Sequence, residues 1–501
     1  MLKKIKLKGE QKKVLFLPAI NPIQIKGVAG SGKTTVALYR AKHLLETQNN
    51  LFNETKIVIF TYNKTLSSYI RAISPYINGG YKKDTEEIKP LTKDGLNVEI
   101  INFHKWAFHF LKKNGIDLYN KTVMSWQQIK IINKIKDEVI ADNSNILEKS
   151  TEFFIDEISW IKGKYLKSND EYFNAKRTGR GTTDRVTKKD KEIIWAVYSK
   201  YNTELNKIGK VDFHDYAILC LKAIENNPSF EQPYTHIIVD EAQDLSKAQI
   251  LTLSKLVSIE TKSLSIIADA AQRIYKSGFS WSEVGINVRG GRTIEFKKNY
   301  RNTVQIAKVA MSLLEHETDK SEFTEIETAL KGKTKPTIGY FSEWNTQMNY
   351  LIEQLNELIK KDLIHSTVIL HRTNVGISEV KKHLENNNFT LELIKSNTTV
   401  NYNSKSIKVC TMSSIKGLEF NNVFMIDLND DEIPYPPGFN GDNDEFHIST
   451  ERRLLYTSIT RARNNLFLLS SATPSRYLSE IDKKLVEIVE NKEVEDDDLP
   501  F

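Results

Sequence analysis

An eight-residue stretch, Gly27-Val28-Ala29-Gly30-Ser31-Gly32-Lys33-Thr34, constrains this chain more than any other feature. A glycine, four free positions and then Gly-Lys-Thr is the spacing at which backbone N–H groups curl around phosphate oxygens. The lysine amine then reaches the β/γ-phosphates, and the threonine hydroxyl ligates Mg²⁺. Such a loop sits between a strand and a helix, so that the helix N-terminus faces the anion. The flanks agree: apolar Ile23 and Ile25 come before it, and amphipathic Val36-Ala37-Leu38-Tyr39-Arg40-Ala41 follows. We therefore assign Gly27, Gly30, Ser31, Gly32, Lys33 and Thr34 to a nucleotide, with Thr35 and Arg40 on the same helix, and Thr34 also to the metal.

At 501 residues the chain has room for two to four domains. A composition of 40% hydrophobic and 27% charged residues is that of an ordinary globular protein. No apolar run reaches membrane-spanning length, and the basic start Met1-Leu2-Lys3-Lys4-Ile5-Lys6-Leu7-Lys8 lacks the apolar core of a signal peptide, so a cytoplasmic location is expected. The cysteines, Cys220 and Cys410, lie far apart in apolar stretches and read as core residues. A net charge of +7 is mild, but the acidic stretch Glu493-Val494-Glu495-Asp496-Asp497-Asp498 offsets a more basic body that suits a phosphate backbone.

Sixteen residues before Gly27 stands Gln11. Its amide offers the donor and acceptor needed to read both edges of an adenine, and it reads equally as an exposed glutamine on a short helix. Downstream, Ile57-Val58-Ile59-Phe60 has a buried-strand pattern and ends in Thr61-Tyr62-Asn63-Lys64, while Val98-Glu99-Ile100-Ile101 ends in Asn102-Phe103-His104. Strand tips are where ligands gather in open parallel sheets. Polar tips with an aromatic suit single-stranded nucleic acid, where stacking is worth roughly 1–3 kcal/mol per base; each tip alone reads as structural sooner than functional. From about 105 to 208 the periodicity turns helical, as in Trp126-Gln127-Gln128-Ile129 and Ile193-Ile194-Trp195-Ala196. Between these lies a basic stretch with Lys176, Arg177, Arg180, Arg185, Lys188 and Lys189, which either meets a polyanion or is simply solvated.

A further strand, His236-Ile237-Ile238-Val239, ends in Asp240-Glu241-Ala242-Gln243-Asp244. Adjacent carboxylates at a strand tip, downstream of a phosphate loop, divide the labour: Asp240 holds Mg²⁺ and Glu241 orients and deprotonates the attacking water. Leu264-Ser265-Ile266-Ile267-Ala268-Asp269 is the next strand, and Gln272 is a candidate reader of the γ-phosphate.

Taken in order from Gln11 to Arg463, these segments resemble the UvrD/Rep/PcrA helicases of superfamily 1. The resemblance implies a fold of two RecA-like α/β domains with parallel sheets, plus an α-helical insertion in the first. It makes Gln11 the adenine reader, and Thr61-Tyr62-Asn63-Lys64 and Phe103-His104 strand-tip contacts to DNA. Asp212-Phe213-His214-Asp215 resembles the motif that re-enters the first domain, and Asp269-Ala270-Ala271-Gln272-Arg273-Ile274-Tyr275 the coupling motif. Asn299-Tyr300-Arg301 resembles the motif whose tyrosine stacks on the adenine and whose arginine meets the γ-phosphate. Ser414-Ile415-Lys416-Gly417-Leu418-Glu419-Phe420 and Tyr456-Thr457-Ser458-Ile459-Thr460-Arg461-Ala462-Arg463 resemble motifs of the second domain, with Arg461 as a second arginine finger and Glu419 counted at the nucleotide. Tyr275 and Phe279 join the expected DNA track.

The expected organisation is a first RecA-like domain at 1–104 and 209–292, a helical insertion at 105–208, a second RecA-like domain at 293–486 and an acidic tail at 487–501. About 35 residues separate Asn374 from Val409, where the family usually carries a large accessory domain. Ser413 stands where the family often has histidine, and Tyr62 is displaced by one position from the usual aromatic. The expected activity is ATP- and Mg²⁺-dependent movement on single-stranded DNA, 3′→5′ by resemblance, in repair, recombination or phage defence. The other reading is a nucleic-acid-activated ATPase switch in a larger complex. Expected partners are single-stranded DNA, duplex at junctions, and a nuclease or defence or repair subunit, with no membrane. Asp496-Asp497-Asp498-Leu499-Pro500-Phe501 looks like the tip of bacterial single-stranded DNA-binding protein, and reads either as a docking peptide for proteins that recognise that tip or as a solvated acidic end.

Overall fold

The computed structural model describes residues 6–48, 54–61, 98–139, 145–175, 186–269, 279–317, 327–330, 332, 334–394, 406–435 and 445–490. The first lobe is a parallel sheet of β1 (Ile23–Gly27), β2 (Ile57–Thr61), β3 (Val98–Asn102), β4 (His236–Val239), β5 (Ser263–Ala268) and β6 (Thr293–Phe296), in the order β3-β2-β4-β5-β1-β6. Parallel strands carry helices on both faces, so their apolar runs are near-continuous. The two-residue period then sorts them: Val58 and Phe60 pack with Ile237 and Val239 on one face, while Ile57 and Ile59 pack with Ile25 and the loop's helix, Lys33–Gln48, on the other.

The helical insertion has its own core, in which Phe154, Ile158, Ile161, Tyr172, Ile194 and Val197 meet between helices Ser125–Glu138, Thr151–Lys164, Asn169–Asn174 and Lys188–Lys207. Its expected start at 105 is moved. Trp106, Ala107 and Leu111 of the helix Phe103–Lys113 pack into the first lobe beside Ala217 and Leu221, so the insertion's own core begins near Val123. Lys162 fastens it to the re-entry segment, with Nζ 2.7 Å from both Asp212 Oδ2 and Asp215 Oδ1. No described helix is long and apolar enough to cross a membrane.

Crossing to the second lobe follows β6 directly. Strand β7 (Lys298–Thr303) pairs with β8 (Glu327–Leu330), and the helix Val304–Leu314 enters the second core. That lobe is a parallel sheet of β9 (Thr337–Tyr340), β10 (Thr367–His371), β11 (Leu391–Leu393), β12 (Ile407–Thr411), β13 (Phe420–Met425), β14 (Ala462–Ser470) and β15 (Glu487–Glu490), ordered β11-β12-β10-β13-β14-β9-β15. Two expected boundaries shift here. Residues 293–296 complete the first sheet, because β6 pairs with β1 in the register Gln24 to Thr293. Residues 487–490 are an edge strand against β9, not tail.

Arg40 is also corrected. Its side chain is fully buried, and its guanidinium donates to the carbonyls of Leu17 at 2.9 Å, Val14 at 3.4 Å and Pro18. Burial pushes its pKa down to about 10. It therefore braces the 3₁₀ turn Gly9–Phe16, which carries Gln11, rather than reaching the phosphates. Arg40→Leu strips donors from these carbonyls and is expected to cost about 1–3 kcal/mol, read as a lower thermal midpoint. Lys42→Leu on the same helix, where Lys42 meets only Glu46 at 3.7 Å, is expected to leave the midpoint within about 0.5 kcal/mol of the parent.

Candidate functional site

The phosphate loop leaves the C-terminal end of β1 and turns into the helix Lys33–Gln48. Gly30 and Gly32 adopt φ of 73° and 83°, a region open to glycine at little cost. A Cβ on Gly27 would stand 2.5 Å from Ser31 Oγ and 3.2 Å from Lys33 Cγ, so the loop closes only around a glycine there. Lys33 Nζ donates to the carbonyls of Gly27 at 2.9 Å and Val28 at 3.0 Å and to Asp269 Oδ2 at 3.0 Å. The amine thus lies across the loop, facing the tip of β5. Ser31 Oγ is buried there with no hydrogen-bond partner among the described residues. Thr35, half-buried, follows Thr34 in the first turn.

Thr34 Oγ1 donates to Asp240 Oδ2 at 2.8 Å, joining the loop to the tip of β4. Asp240 and Glu241 are both buried. Desolvation, and then the charge of Glu241, push Asp240 up to about 7. Burial also drives Glu241 upward, but Lys416, Lys33 and Arg461 outweigh it and leave its carboxyl below the ordinary range. Of the two carboxyls Asp240 is therefore the harder to ionise and Glu241 the easier. Glu241 sits at φ 56°, a left-handed turn costing a non-glycine residue about 1–2 kcal/mol. Gln243 links two strand tips, donating to Glu241 Oε2 and accepting from Asp269 N at 3.0 Å.

The donor set fits a hard divalent cation: a hydroxyl and a buried carboxylate already in contact, the latter driven to protonate by its surroundings. Among the described residues no group of three or more His, Cys, Asp or Glu side chains converges as a self-sufficient metal cage. A site of one or two protein ligands, completed by phosphates, suits Mg²⁺. The unpartnered Ser31 hydroxyl likewise fits a phosphate oxygen.

The second lobe delivers three cations to this edge. Arg461 is 1% exposed, and its Nε donates to Thr457 O at 2.9 Å. Burial, and then Arg301, lower its pKa to about 10, against the pull of Glu241, Glu419 and Asp269. Arg301 pairs with Glu419. Lys416 crosses the lobes to a buried ion pair with Asp244. Glu419, half-buried, spends one carboxylate oxygen on Arg301; burial drives its carboxyl upward, and Arg301 and Arg463 outweigh this and hold it below the ordinary range.

Tyr300 N donates to Gly30 O at 2.9 Å, and its ring lies over Gly9, where a Cβ would be 2.6 Å from the hydroxyl. Gln11 accepts from Lys8 N at 2.8 Å, which closes its own 3₁₀ turn, and donates to Ser31 O at 2.7 Å, so the donor end of its amide braces the loop in this structure. Both residues stand beside the loop, as their assignment to the base requires.

Between the lobes and the insertion lies a cavity of about 550 Å³, whose walls include His104, Phe279, Phe213, Lys164, Arg372 and Ser413. His104 and Phe279 were expected here. Phe103 was also expected and is corrected: it is fully buried in the first-lobe core and presents no ring to a strand. Thr61 is likewise fully buried at the end of β2, which leaves it no surface to offer. Tyr62, Asn63, Gln272 and Tyr275 lie outside the described residues.

Residues 7–284 match the UvrD/REP helicase N-terminal domain, and residues 294–399 and 390–473 match the UvrD-like helicase C-terminal domain. The chain belongs to the UvrD/REP helicase family. It is 24% identical over 402 residues to the "Probable DNA helicase II homolog" of Mycoplasma capricolum subsp. capricolum, across 77% of this chain and 52% of that protein. It is also 24% identical over 395 residues to the ATP-dependent DNA helicase PcrA of Leuconostoc citreum, across 74% of this chain and 48% of that one. This chain thus spans about half the length of the curated relatives it matches. The C-terminal domain of a possible DNA helicase from Lactobacillus plantarum WCFS1 aligns over 38% of this chain at 20% identity, with a TM-score of 0.29.

Several residues of this UvrD/REP-family chain escaped the sequence reading. Phe213, 48% exposed, packs edge-on to His104 at 5.4 Å; its place in Asp-Phe-His-Asp was the available signal. Arg372 follows the tip of β10 and grips Glu451 through Nε and Nη2 at 2.8 and 2.9 Å. Asn302 is the larger omission. Its Nδ2 donates to Thr460 O at 2.9 Å and to Ala462 O, the carbonyls on either side of Arg461, and its Oδ1 accepts from Asn299 Nδ2 at 2.8 Å. Asn299 Oδ1 in turn receives Arg301 N at 2.9 Å. Two arginines far apart in sequence are thereby held in one frame. Asn302→Ala orphans that frame at about 1–3 kcal/mol, and it is expected to lower ATP turnover roughly tenfold with nucleotide affinity little changed. Steady-state kinetics beside fluorescent-nucleotide titration check this, and loss of affinity equal to the loss of turnover would refute it.

Proposed function

We propose that this chain hydrolyses ATP and uses the cycle to move along single-stranded DNA. The observation that carries the reading is convergence: Lys33, Asp240 and Glu241 of the first lobe and Arg461, Arg301 and Lys416 of the second share one buried edge. Membership of the UvrD/REP helicase family and the names of the matched relatives support it.

In this reading the backbone N–H groups at Gly30–Lys33 and the Lys33 amine take the β/γ-phosphates, exchanging the carbonyl and Asp269 contacts for phosphate oxygens. Thr34 and Asp240 hold Mg²⁺, which neutralises phosphate charge when bound. Glu241, kept ionised by its cationic neighbours, accepts the proton of the attacking water. Arg461 and Arg301 stabilise charge growing on the transferred phosphoryl group, with Gln272 as the γ-phosphate reader by resemblance. Tyr300 and Gln11 hold the base. Because the fingers belong to the other lobe, hydrolysis requires closure, and release of phosphate removes what holds the lobes shut. The cavity bearing His104, Phe213 and Phe279 is the proposed strand path, with 3′→5′ polarity carried over from the family resemblance.

Work in the cytoplasm on repair, recombination or phage defence, beside a nuclease or other subunit, is the setting this chemistry suits. Residues 496–501, as an acidic docking peptide, give one route to such partners. A second reading, a DNA-activated switch without unwinding, is favoured by one observation. Between β10 and β12 the described residues hold only the helix Asn374–Asn386 and the short β11, where an accessory domain would interact with duplex.

Glu241→Gln is expected to cut ATP turnover by about 10²–10⁴ while leaving nucleotide affinity near the parent value. Arg461→Ala is expected to cost about 10³–10⁵. Displacement of streptavidin from single strands without unwinding of a tailed duplex identifies a translocase. DNA-dependent turnover with neither identifies the switch, and turnover indifferent to Glu241→Gln rejects both.

A further inference from the structure

The phosphate loop, Asp240 and Asp269 occupy the C-terminal edge of the first sheet. The opposite edge carries a second cavity, of about 640 Å³, entered beside Pro22 ahead of β1, Lys262 ahead of β5 and Arg292 ahead of β6. Its floor is apolar, formed by Ile224, Phe230, Val257, Leu264, Val284 and Ile286. Ile259 stands beside the cavity, 71% exposed.

The rim is cationic and unbalanced. Lys255, Lys262 and Arg292 line the cavity, and among the described residues no aspartate or glutamate does. Among the described residues Lys255 meets only Glu225, at 3.9 Å and in the open. Among the same residues Lys262 and Arg292 have no carboxylate partner, and Arg292 donates from its Nε to Arg289 O at 2.9 Å. An apolar floor beneath uncompensated cations is complementary to a segment that is acidic on one side and apolar on the other.

This chain contains such a segment. Residues 493–501, Glu-Val-Glu-Asp-Asp-Asp-Leu-Pro-Phe, bring five carboxylates and then an apolar wedge. We propose that the cavity is the receptor for residues 493–501 of this chain. The carboxylates of Asp496, Asp497 and Asp498 meet Lys255, Lys262 and Arg292, and Leu499 and Phe501 fill the floor against Phe230 and Ile286. Nucleic acid fits less well, because the floor is largely aliphatic and offers few faces for base stacking. Residues 491–501 extend at most about 36–40 Å, so the segment comes from the same chain or from a second copy, as geometry allows. Filling this cavity would leave the phosphate loop open, and the segment would compete with any acidic peptide of the same chemistry.

The test uses the full chain, with photoreactive benzoylphenylalanine at position 501. Irradiation is expected to attach it to peptides containing residues 224–232, 255–264 or 284–287, within one chain or between two; either result upholds the pairing. Lys262→Glu with Arg292→Glu is expected to lower the yield at least about fivefold, and about 0.5 M salt to weaken it similarly. Asp496→Lys, Asp497→Lys and Asp498→Lys in that background are expected to restore it, which a misfolded receptor could not allow. Attachment elsewhere, equal yield in the Glu variants, or displacement by a single-stranded oligonucleotide but not by a peptide of residues 491–501 would overturn the proposal. None of these readouts depends on ATP turnover, so their failure leaves the proposed activity standing.

Discussion

Burial of many charges at one edge, by groups from two lobes, is the constraint on which the rest of this structure depends. Asp240, Glu241, Asp244 and Asp269 lie buried with Lys33, Lys416 and Arg461. Taking a single ion out of water costs several kcal/mol even after relaxation, and only close partners of opposite sign repay it. The first lobe by itself supplies four carboxylates and one lysine. The second lobe's Lys416 and Arg461 supply compensating positive charge, and burial disfavours the charged form of Arg461 against the pull of Glu241 and Asp269. Lobe closure and charge balance are thus the same event. A polyphosphate entering this edge would alter that balance, which is how the proposed cycle would couple nucleotide to the fit of the lobes.

The connection between the lobes is short and densely bonded. From β6 to Arg301 the chain crosses in a few residues, and over that span Tyr300 N touches the phosphate loop while Asn302 holds the carbonyls around Arg461. Gly30 packs so closely on this crossing that a Cβ would stand 2.8 Å from Arg301 Cβ. Glycine at that position therefore serves two surfaces, the phosphate and the crossing strand. On the other side, Lys162 binds the insertion to Asp212 and Asp215 as a buried triad, so the insertion moves with the first lobe. Breaking a triad of this kind leaves an uncompensated buried charge, which makes a rigid joint more economical than a hinge there.

What was legible in the sequence follows from locality. The phosphate loop, the Asp240-Glu241 pair and the strands around Ile57, Ile100, Ile238 and Ile266 are read from neighbours in the chain, and the structure has them as expected. Arg40 and Phe103 were misread because their environments are made by distant segments: the carbonyls of Leu17 and Pro18, and the core under Ala217. A motif position says which residue type stands near the ligand, and it is silent on whether that residue faces the ligand or holds a neighbour. Boundaries failed for a related reason. Strands β6 and β15 are short and partly exposed, and only their pairing with β1 and β9 assigns them to a lobe.

One five-residue segment joins the two halves of the proposed cycle. Along Asp240-Glu241-Ala242-Gln243-Asp244, the first two side chains face the loop, Gln243 ties Glu241 to the tip of β5, and Asp244 reaches Lys416 while also lining the cavity between the lobes. The 3₁₀ turn Ala242–Asp244 makes this a compact unit in which one end cannot shift far without the other. Lys416 is at once the partner of Asp244 and the foremost cation lowering Glu241. Movement of the second lobe that draws Lys416 away would therefore raise the proton affinity of Glu241 and bare the Asp244 carboxylate to the cavity wall. A negative charge appearing there would repel a phosphate backbone, so loss of closure on the nucleotide side would loosen grip on the strand side.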